Sequence, residues 1–342
     1  MIILAERRFG PMTAKTASGA IAYRPEEIVA VIDSSRAGAT VQDILGYGGA
    51  IPIVASLEEG MQFTPDTLLI GIAPPGGYLP ESWRETLRKA VLRGLHIISG
   101  LHFRLNDDAE LTRLAEEHHV VLTDLRKPPD SHKVVARGTW KNRKAKTILG
   151  VGTDCRIGKM TTILEVEKVF RQRGARSRFI ATGQTGILIC GRGISVDAMI
   201  GDYIAGSIEK EIDAAADEGA DYIFVEGQGA LTHQGYSSVT MGLMHGTMPD
   251  AMIMVHQPTR ERDDYGFTIP PLLSLIQFHE DAIRFFKPSK VVGIGINSVG
   301  LSPEESTQAT LKIERETGLP AIDAFRFGGE KLADALQAFF RL

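Results

Sequence analysis

The stretch from Ile148 to Thr162, ILGVGTDCRIGKMTT, most constrains what this chain can fold into. An apolar run comes first, then a loop bounded by glycines, then a lysine and two threonines. The backbone N–H groups of such a loop, together with the N-terminus of the helix that follows, stabilise the charges of a polyphosphate. The stretch therefore predicts a strand, a phosphate-binding loop and a helix, in that order.

Most of the predicted cofactor-binding residues lie in this loop: Gly152, Thr153, Asp154, Cys155, Gly158, Lys159, Thr161 and Thr162. Lys159 supplies a point charge, and Thr161 or Thr162 offers a hydroxyl to a phosphate oxygen or to a bridging Mg²⁺. The loop is one residue longer than the pattern G-x-x-x-x-G-K, and Met160 stands where that pattern has a hydroxyl. The loop is therefore a variant of the usual phosphate loop.

Length and composition favour a globular enzyme of two domains. The chain has 342 residues, of which 43% are hydrophobic and 23% charged. A net charge of −4 gives no general attraction to nucleic acid or to an anionic membrane. Two cysteines make no disulfide framework, no apolar run is long enough to span a bilayer, and charges at positions 6–8 come too early for a signal peptide. We expect a cytoplasmic homo-oligomer that acts on a small molecule.

Short β-branched runs alternate with amphipathic helical stretches, which is typical of a parallel sheet. In the first half the predicted strands are 28–33, 67–73, 95–99 and 120–123. A helix is predicted from Pro80 to Arg93, because proline favours a first turn and Gly94 follows its end. Residues 131–146 are polar and basic, so we place a solvated linker there, between domains at 1–130 and 147–342.

The second half repeats the pattern, with strands predicted at 148–152, 177–182, 222–226, 251–255 and 291–296. A helix is predicted from Glu165 to Gly174. Each strand ends in a polar or glycine-rich turn. Because ligands of open α/β sheets bind at the carboxyl ends of the strands, these turns should converge on one site.

The turn at Gly227–Gly229 is the strongest candidate for chemistry. The preceding strand delivers Glu226 into this turn, opposite the phosphate loop. A carboxylate in that place holds Mg²⁺ or accepts a proton, and the alternative is a glutamate exposed at a strand end. His233 is a second candidate acid or base, unless it packs in a core. With Lys159, these residues form the predicted catalytic set.

Five further residues are candidates for substrate binding. Gln184 and Gln228 lie in glycine-rich turns. Asp197 and Asp202, five residues apart, could share a helix face and bind an amine or a hydrated cation, or act as a cap and a surface carboxylate. Arg260 could form a bidentate pair with a carboxylate or a phosphate, or lie in a solvated loop.

Asn297 and Cys155 are each compatible with two roles. Asn297, at a strand end, could hydrogen-bond to a nucleotide base or simply make a turn. Cys155 could be a nucleophile, since Lys159 and a helix N-terminus stabilise a thiolate, or the loop could require a small side chain there. No Cys/His spacing resembles a structural zinc site, and no metal ligands are predicted.

Two families resemble this chain in the motifs above. Gly152-Thr-Asp-Cys-Arg-Ile-Gly-Lys-Met-Thr-Thr162 and Val225-Glu-Gly-Gln-Gly-Ala230 are similar to motifs of dethiobiotin synthetases. The first motif, with Ala181-Thr-Gly-Gln-Thr-Gly186, Asp197, Gly201-Asp202 and His256-Gln-Pro258, resembles a two-domain family of originally unknown function across the whole chain. That resemblance implies an α/β fold in which a Rossmann-like domain precedes a doubly wound, parallel-sheet domain similar to P-loop NTPases.

The two resemblances imply different reactions. The two-domain family includes D-glutamate N-acetyltransferases, so it implies an enzyme that acetylates the amine of a small acidic amino acid with acetyl-CoA. Lys159 and the loop would then hold the phosphates of coenzyme A, Glu226 or His233 would take the amine proton, and Arg260 would meet the substrate carboxylate. Dethiobiotin synthetases imply instead a ligase or kinase that binds ATP and Mg²⁺. A nucleotide-binding regulatory protein is the third alternative. We predict the acetyltransferase.

Overall fold

The computed structural model describes residues 1–11, 13–72 and 77–341. Two compact units make up the chain, one formed by Met1–Pro128 with Ile187–Gly191 and the other by Pro129–Gly186 with Arg192–Leu342. Each unit contains a six-stranded sheet, and the strand pairings are parallel. These sheets confirm the predicted α/β class.

The first sheet has its strands in the order β3-β2-β1-β4-β5-β6, which is the order of Rossmann domains. Its strands are β1 (Ile2–Leu4), β2 (Ala30–Ile32), β3 (Ile53–Val54), β4 (Thr67–Ile70), β5 (His96–Ser99) and β6 (Leu122–Asp124). Its helices are α1 (Lys15–Tyr23), α2 (Val41–Leu45), α3 (Leu57–Gly60), α4 (Glu81–Leu92) and α5 (Ala109–Glu117). Four of the strands lie where they were predicted, although the predicted strand 67–73 ends at Ile70 and its last residue lies outside the described ranges. The sequence prediction did not include β1 or β3.

Asp33, directly after β2, fastens the loop that follows β1. Its buried carboxylate accepts hydrogen bonds from the backbone N–H groups of Arg7 (3.1 Å) and Phe9 (2.9 Å). It also accepts from the N–H (3.0 Å) and the hydroxyl (2.6 Å) of Ser35. The carboxylate is therefore engaged by donors of its own unit.

The second sheet has the order β12-β11-β10-β7-β9-β8. Its strands are β7 (Lys146–Gly152), β8 (Ser177–Ile180), β9 (Tyr222–Val225), β10 (Ala251–His256), β11 (Lys290–Ile296) and β12 (Ala321–Ile322). The helices that follow these strands are α6 (Lys159–Gln172), α7 (Gln184–Cys190), α8 (Gly201–Asp217), α9 (Ser237–Thr247), α10 (Leu272–Ile283), α11 (Pro303–Thr317), α12 (Ala324–Phe327) and α13 (Glu330–Arg341). None of the helices in the described part of the chain is long and apolar enough to cross a membrane.

Strand β7 lies between β9 and β10, and this neighbourhood positions the site. Leu149 pairs with Val225 of β9, and Gly152 pairs with Val255 of β10. The turns after the three strands therefore meet at one edge of the sheet, as the sequence predicted for the carboxyl ends of parallel strands.

The segment predicted as a solvated linker packs along α8. The carboxylate of Glu209 accepts hydrogen bonds from the backbone N–H groups of Arg137 (2.5 Å) and Thr139 (2.8 Å). At Gly206 a Cβ atom would lie 2.0 Å from the carbonyl oxygen of Val134, so only glycine permits this close approach. The segment is thus part of the second unit's packed structure.

His279 on α10 makes the stability of the protein depend on pH. Its side chain is fully buried and its Nδ1–H donates to the Leu275 carbonyl (2.7 Å). Burial, assisted by the positive charge of Lys159, lowers the pKa of His279 from 6.5 to about 4. In the unfolded chain the ring takes up its proton near pH 6.5, so we expect the folded state to lose about 3 kcal/mol as the pH falls from 6.5 to 4.

Urea unfolding between pH 7 and pH 4 measures this effect. The variant His279→Gln has no titrating ring, so its free energy of unfolding should fall less over the same interval than that of the natural chain. An equal fall in the two proteins would contradict the prediction.

Candidate active site

The phosphate loop closes between β7 and α6 in the conformation that an anion site requires. Gly158 caps α6 with φ +94°, and Arg156, a residue with a side chain, also adopts a left-handed φ of +55°. Because α6 begins at Lys159, its first backbone N–H groups have no partner within the helix. These groups and the loop amides form a cradle of backbone N–H donors, the kind of arrangement that binds anions at helix N-termini.

Lys159 is buried at the centre of this cradle. Its side chain passes between Gly152 and Gly227, where Cβ atoms would lie 3.0 Å and 3.1 Å from its Cδ. Its Nζ donates to the carbonyl of Asp154 at 2.6 Å. The two glycines therefore admit the lysine, and its ammonium group is held against the loop.

Arg260 is paired with two aspartates. Its Nε lies 2.6 Å from Oδ2 of the buried Asp154, and its Nη2 lies 2.7 Å from Asp264 Oδ1. Asp264 in turn pairs with Arg156 of the loop. The guanidinium predicted to bind a substrate carboxylate thus has two carboxylates of its own chain as neighbours.

Glu226 is 2% exposed and is bound to the turn after β8. Its Oε2 accepts hydrogen bonds from the backbone N–H groups of Thr182 (2.9 Å) and Gly183 (3.2 Å). Gln228 strengthens the same connection by donating to the Thr182 carbonyl (2.5 Å). A Cβ at Gly186 would lie 2.4 Å from Glu226 Oε2, so that glycine makes room for the carboxylate.

His233 is 1% exposed, and its ring lies between two tyrosines. The centroid of the His233 ring lies 4.9 Å from that of Tyr236, with the two rings stacked, and 5.3 Å from that of Tyr265. Nδ1 accepts a hydrogen bond from the N–H of Gly235 (3.2 Å), so the neutral ring carries its proton on Nε2. Nε2 has no hydrogen-bond partner in the described part of the chain. The geometry makes His233 a buried hydrogen-bond donor.

Cys155, Asp154 and His233 place a thiol, a carboxylate and a ring nitrogen within 4.8 Å of one another. These are ligand types for zinc, which binds thiolate and unprotonated imidazole nitrogen. Burial, with a smaller contribution from Asp154, raises the pKa of Cys155 to about 11 against the opposing effect of Lys159. The Cys155 thiol is therefore protonated near neutral pH and is not an activated thiolate nucleophile. In the neutral ring of His233, Nε2 carries the proton and the Nδ1 lone pair accepts the Gly235 N–H.

Alkylation tests this description of Cys155. In a Cys190→Ser background at pH 8, iodoacetamide should react with native Cys155 at least 100-fold more slowly than with the urea-unfolded chain, because a pKa of about 11 leaves little thiolate. Equal rates in the two states would show an exposed or activated thiol.

The hydroxyl and amide groups predicted at the loop have different surroundings. Thr161 is half-buried in the first turn of α6. Thr162 is buried and packs closely against Gly295, where an added Cβ atom would lie 2.5 Å from the Cγ2 of Thr162. Asn297 accepts a hydrogen bond from the N–H of Val299 (3.1 Å), and its Nδ2 would lie 3.5 Å from a Cβ at Gly158. Asn297 therefore shapes a turn that contacts the loop.

The remaining predicted substrate residues lie in separate elements. Gln184 begins α7. Asp197 lies in a one-turn 3₁₀ helix and accepts from the Ser195 hydroxyl (2.9 Å), whereas Asp202 is exposed in the first turn of α8. The two aspartates thus do not share one helix face, because the chain changes direction between them.

Both units match models of one family. Residues 34–128 match a Rossmann-like domain of unknown function, DUF1611_N, and residues 134–333 match a P-loop domain of unknown function, DUF1611_C. A solved structure of a DUF1611 family protein from Anabaena variabilis is 34% identical and superposes with a TM-score of 0.94, covering 98% of each chain.

Two relatives carry the name D-glutamate N-acetyltransferase. The protein from Tritonibacter scottomollicae is 39% identical over 333 residues, which cover 96% of this chain and 95% of the relative. The protein from a Pseudoalteromonas species is 34% identical over 280 residues, covering 81% and 83%. These names bear out the predicted N-acetyltransferase class, and the matches bear out the predicted fold of both domains. The chain therefore belongs to the DUF1611 family, with its Rossmann-like and P-loop domains.

Proposed function

We propose that this chain transfers the acetyl group of acetyl-CoA to the amino group of D-glutamate. The observation that carries the proposal is the buried Lys159 in a preformed phosphate cradle, in a chain 39% identical to a D-glutamate N-acetyltransferase over nearly its whole length. Coenzyme A carries a pyrophosphate and a ribose 3′-phosphate, which are the anions that such a cradle binds.

Acetyl-CoA brings its own activated carbonyl, so no phosphoryl transfer is required. The amine nitrogen attacks the thioester carbon, the C–S bond breaks, and the thiolate of coenzyme A leaves and is protonated. The protein must hold the donor, remove a proton from the acceptor's ammonium group and stabilise the oxyanion that develops. In this proposal the loop amides and Lys159 hold phosphate.

Glu226 is our candidate for the proton acceptor. His233 was the alternative, but its Nδ1 receives the Gly235 N–H and its Nε2 carries the ring proton. We expect Glu226→Gln to lower kcat about 100-fold, because the amide cannot accept the proton as a carboxylate does. Acetyl-CoA affinity and melting temperature serve as controls, since the amide could also disturb the Thr182–Gly183 turn. Unchanged kcat would exclude Glu226 as the base.

The proposed function is tested with the purified full chain, acetyl-CoA and D-glutamate. Release of coenzyme A thiol and formation of N-acetylglutamate, identified by mass spectrometry, support it. L-Glutamate and D-aspartate test the configuration and the length of the acceptor. A parallel incubation with ATP and Mg²⁺ detects phosphate release, and ATP turnover without acetyl transfer would replace the proposal by the ligase or kinase alternative.

A further inference from the structure

A small cavity lies beside the phosphate loop, within the second unit. Thr153, Asp154 and His233 contribute to its lining from the sheet side, and Asp263 and Thr268 contribute from the segment after β10. Its volume is about 170 Å³. Sites for cofactors and drug-sized ligands have volumes of roughly 300 to 1,000 Å³, whereas a cavity of about 150 Å³ holds a molecule as small as benzene. The cavity therefore suits a molecule the size of an amino acid rather than acetyl-CoA.

The lining of the cavity includes a hydrogen-bond donor that has no partner in the described residues. His233 Nε2–H is buried without a hydrogen-bond partner in the described residues. The Asp154 carboxylate beside it is ion-paired with Arg260 at 2.6 Å. A ring nitrogen of His233 and a carboxylate oxygen of Asp154 are within 4.8 Å. The group left to pair with a ligand is therefore the His233 donor, which suits a carboxylate oxygen.

The donor is also held in place before any ligand arrives. Tyr236 and Tyr265 flank the His233 ring, and the Gly235 N–H fixes its tautomer. A buried donor that lacks a partner costs the folded chain about 1 to 3 kcal/mol, and a ligand oxygen would remove that cost. Preorganisation of this kind favours binding, because little ordering remains to be done.

We propose that this cavity is the acceptor subsite, in which His233 Nε2–H donates to a carboxylate of the amino acid that is acetylated. The identification of that amino acid as D-glutamate rests on the proposed function. His233 is thereby a substrate-binding residue.

A substitution that fills the cavity tests the subsite. Thr268 is exposed at its rim, so Thr268→Trp should occupy the space without altering the buried core. We expect the KM for D-glutamate to rise at least 10-fold while the KM for acetyl-CoA stays unchanged. Glu261→Trp, in the same segment and also exposed, is the matched control and should leave both constants unchanged.

The donor is tested by two substitutions at His233. Phenylalanine keeps a ring between the tyrosines and removes the N–H, so His233→Phe should raise the KM for D-glutamate about 10- to 100-fold, as for the loss of a hydrogen bond to a charged group. His233→Gln retains a donor and should recover part of the loss. Unchanged KM values in His233→Phe and Thr268→Trp, with D-glutamate still acetylated, would overturn the subsite and leave the proposed function standing.

Binding measurements separate the two proposals if D-glutamate is not a substrate. Absence of coenzyme A release with D-glutamate refutes the proposed function. Thermal-shift titration with the proteinogenic amino acids in both configurations then tests whether the cavity binds any amino acid, independently of the proposed function. An amino acid that stabilises the natural chain and Glu261→Trp but not Thr268→Trp supports the subsite, and the failure of every amino acid to bind the natural chain overturns it.

Discussion

Replacing Lys159 by alanine should weaken the binding of acetyl-CoA by 100-fold or more. The lysine is 5% exposed and its ammonium group donates to the Asp154 carbonyl of the phosphate loop, so removing it takes away a buried positive charge that water cannot replace. Truncating one partner of a buried charge pair costs about 2 to 5 kcal/mol, and we expect a value in the upper part of that range. Isothermal titration of the purified variant with acetyl-CoA measures the loss.

Lys168 provides a matched control on the same helix. Its side chain is half exposed and pairs with Glu165 at 3.5 Å, away from the loop. Lys168→Ala should bind acetyl-CoA as the natural chain does. If Lys159→Ala binds acetyl-CoA equally well, the phosphates of coenzyme A occupy another part of the molecule. Tight binding of ATP with Mg²⁺ and none of acetyl-CoA would favour the ligase or kinase.

Alanine at Gly227 should destabilise the second unit by more than about 4 kcal/mol, or prevent it from folding. A Cβ at this position would lie 1.7 Å from the carbonyl oxygen of Gly150 and 2.6 Å from its carbonyl carbon. Both atoms belong to the backbone of β7, so no side-chain rotation relieves the overlap and the sheet itself must shift. Costs of this size are exceptional for a single methyl group and arise where the backbone has no room to move.

Gly201→Ala is the corresponding control. Gly201 opens α8 and does not adopt a positive φ, and a Cβ added there would meet no atom within 4 Å. Alanine there should leave stability unchanged or raise it by up to about 1 kcal/mol, because alanine favours the helix. Urea unfolding of both variants gives the comparison. A small loss in Gly227→Ala would mean that β7 and the turn after β9 separate easily.

The features predicted well from the sequence are those set by neighbours in the chain. Proline before a helical stretch and glycine after it place α4 within one residue of its predicted bounds. The spacing of glycine, lysine and threonine residues predicts the phosphate loop. The helix after it, α6, begins at Lys159, six residues before the predicted start. Conversely, β1 is only three residues long, so no periodicity marks it, yet it is the strand between β2 and β4.

The site depends more on contacts between distant parts of the chain, which spacing does not reveal. Glu226 was identified as a polar residue at a strand end, but its partners are backbone N–H groups of Thr182 and Gly183, which any sequence would offer. Arg260 was expected to be available to substrate, and its pairing with Asp154 brings together residues more than 100 positions apart. The placement of predicted residues at a common edge follows from parallel strands, whereas their individual roles follow from side-chain packing.

The Asp33 carboxylate gives the first unit an internal connection between the end of β2 and the loop after β1. In dinucleotide-binding Rossmann domains an acidic side chain selects a ribose hydroxyl. Here the Asp33 carboxylate accepts its hydrogen bonds from residues 7, 9 and 35 of the same unit. The loop after β1 therefore occupies the carboxylate. A ribose would have to displace it at a cost of several kcal/mol. A single buried carboxylate thus fixes the loop after β1 to the end of β2.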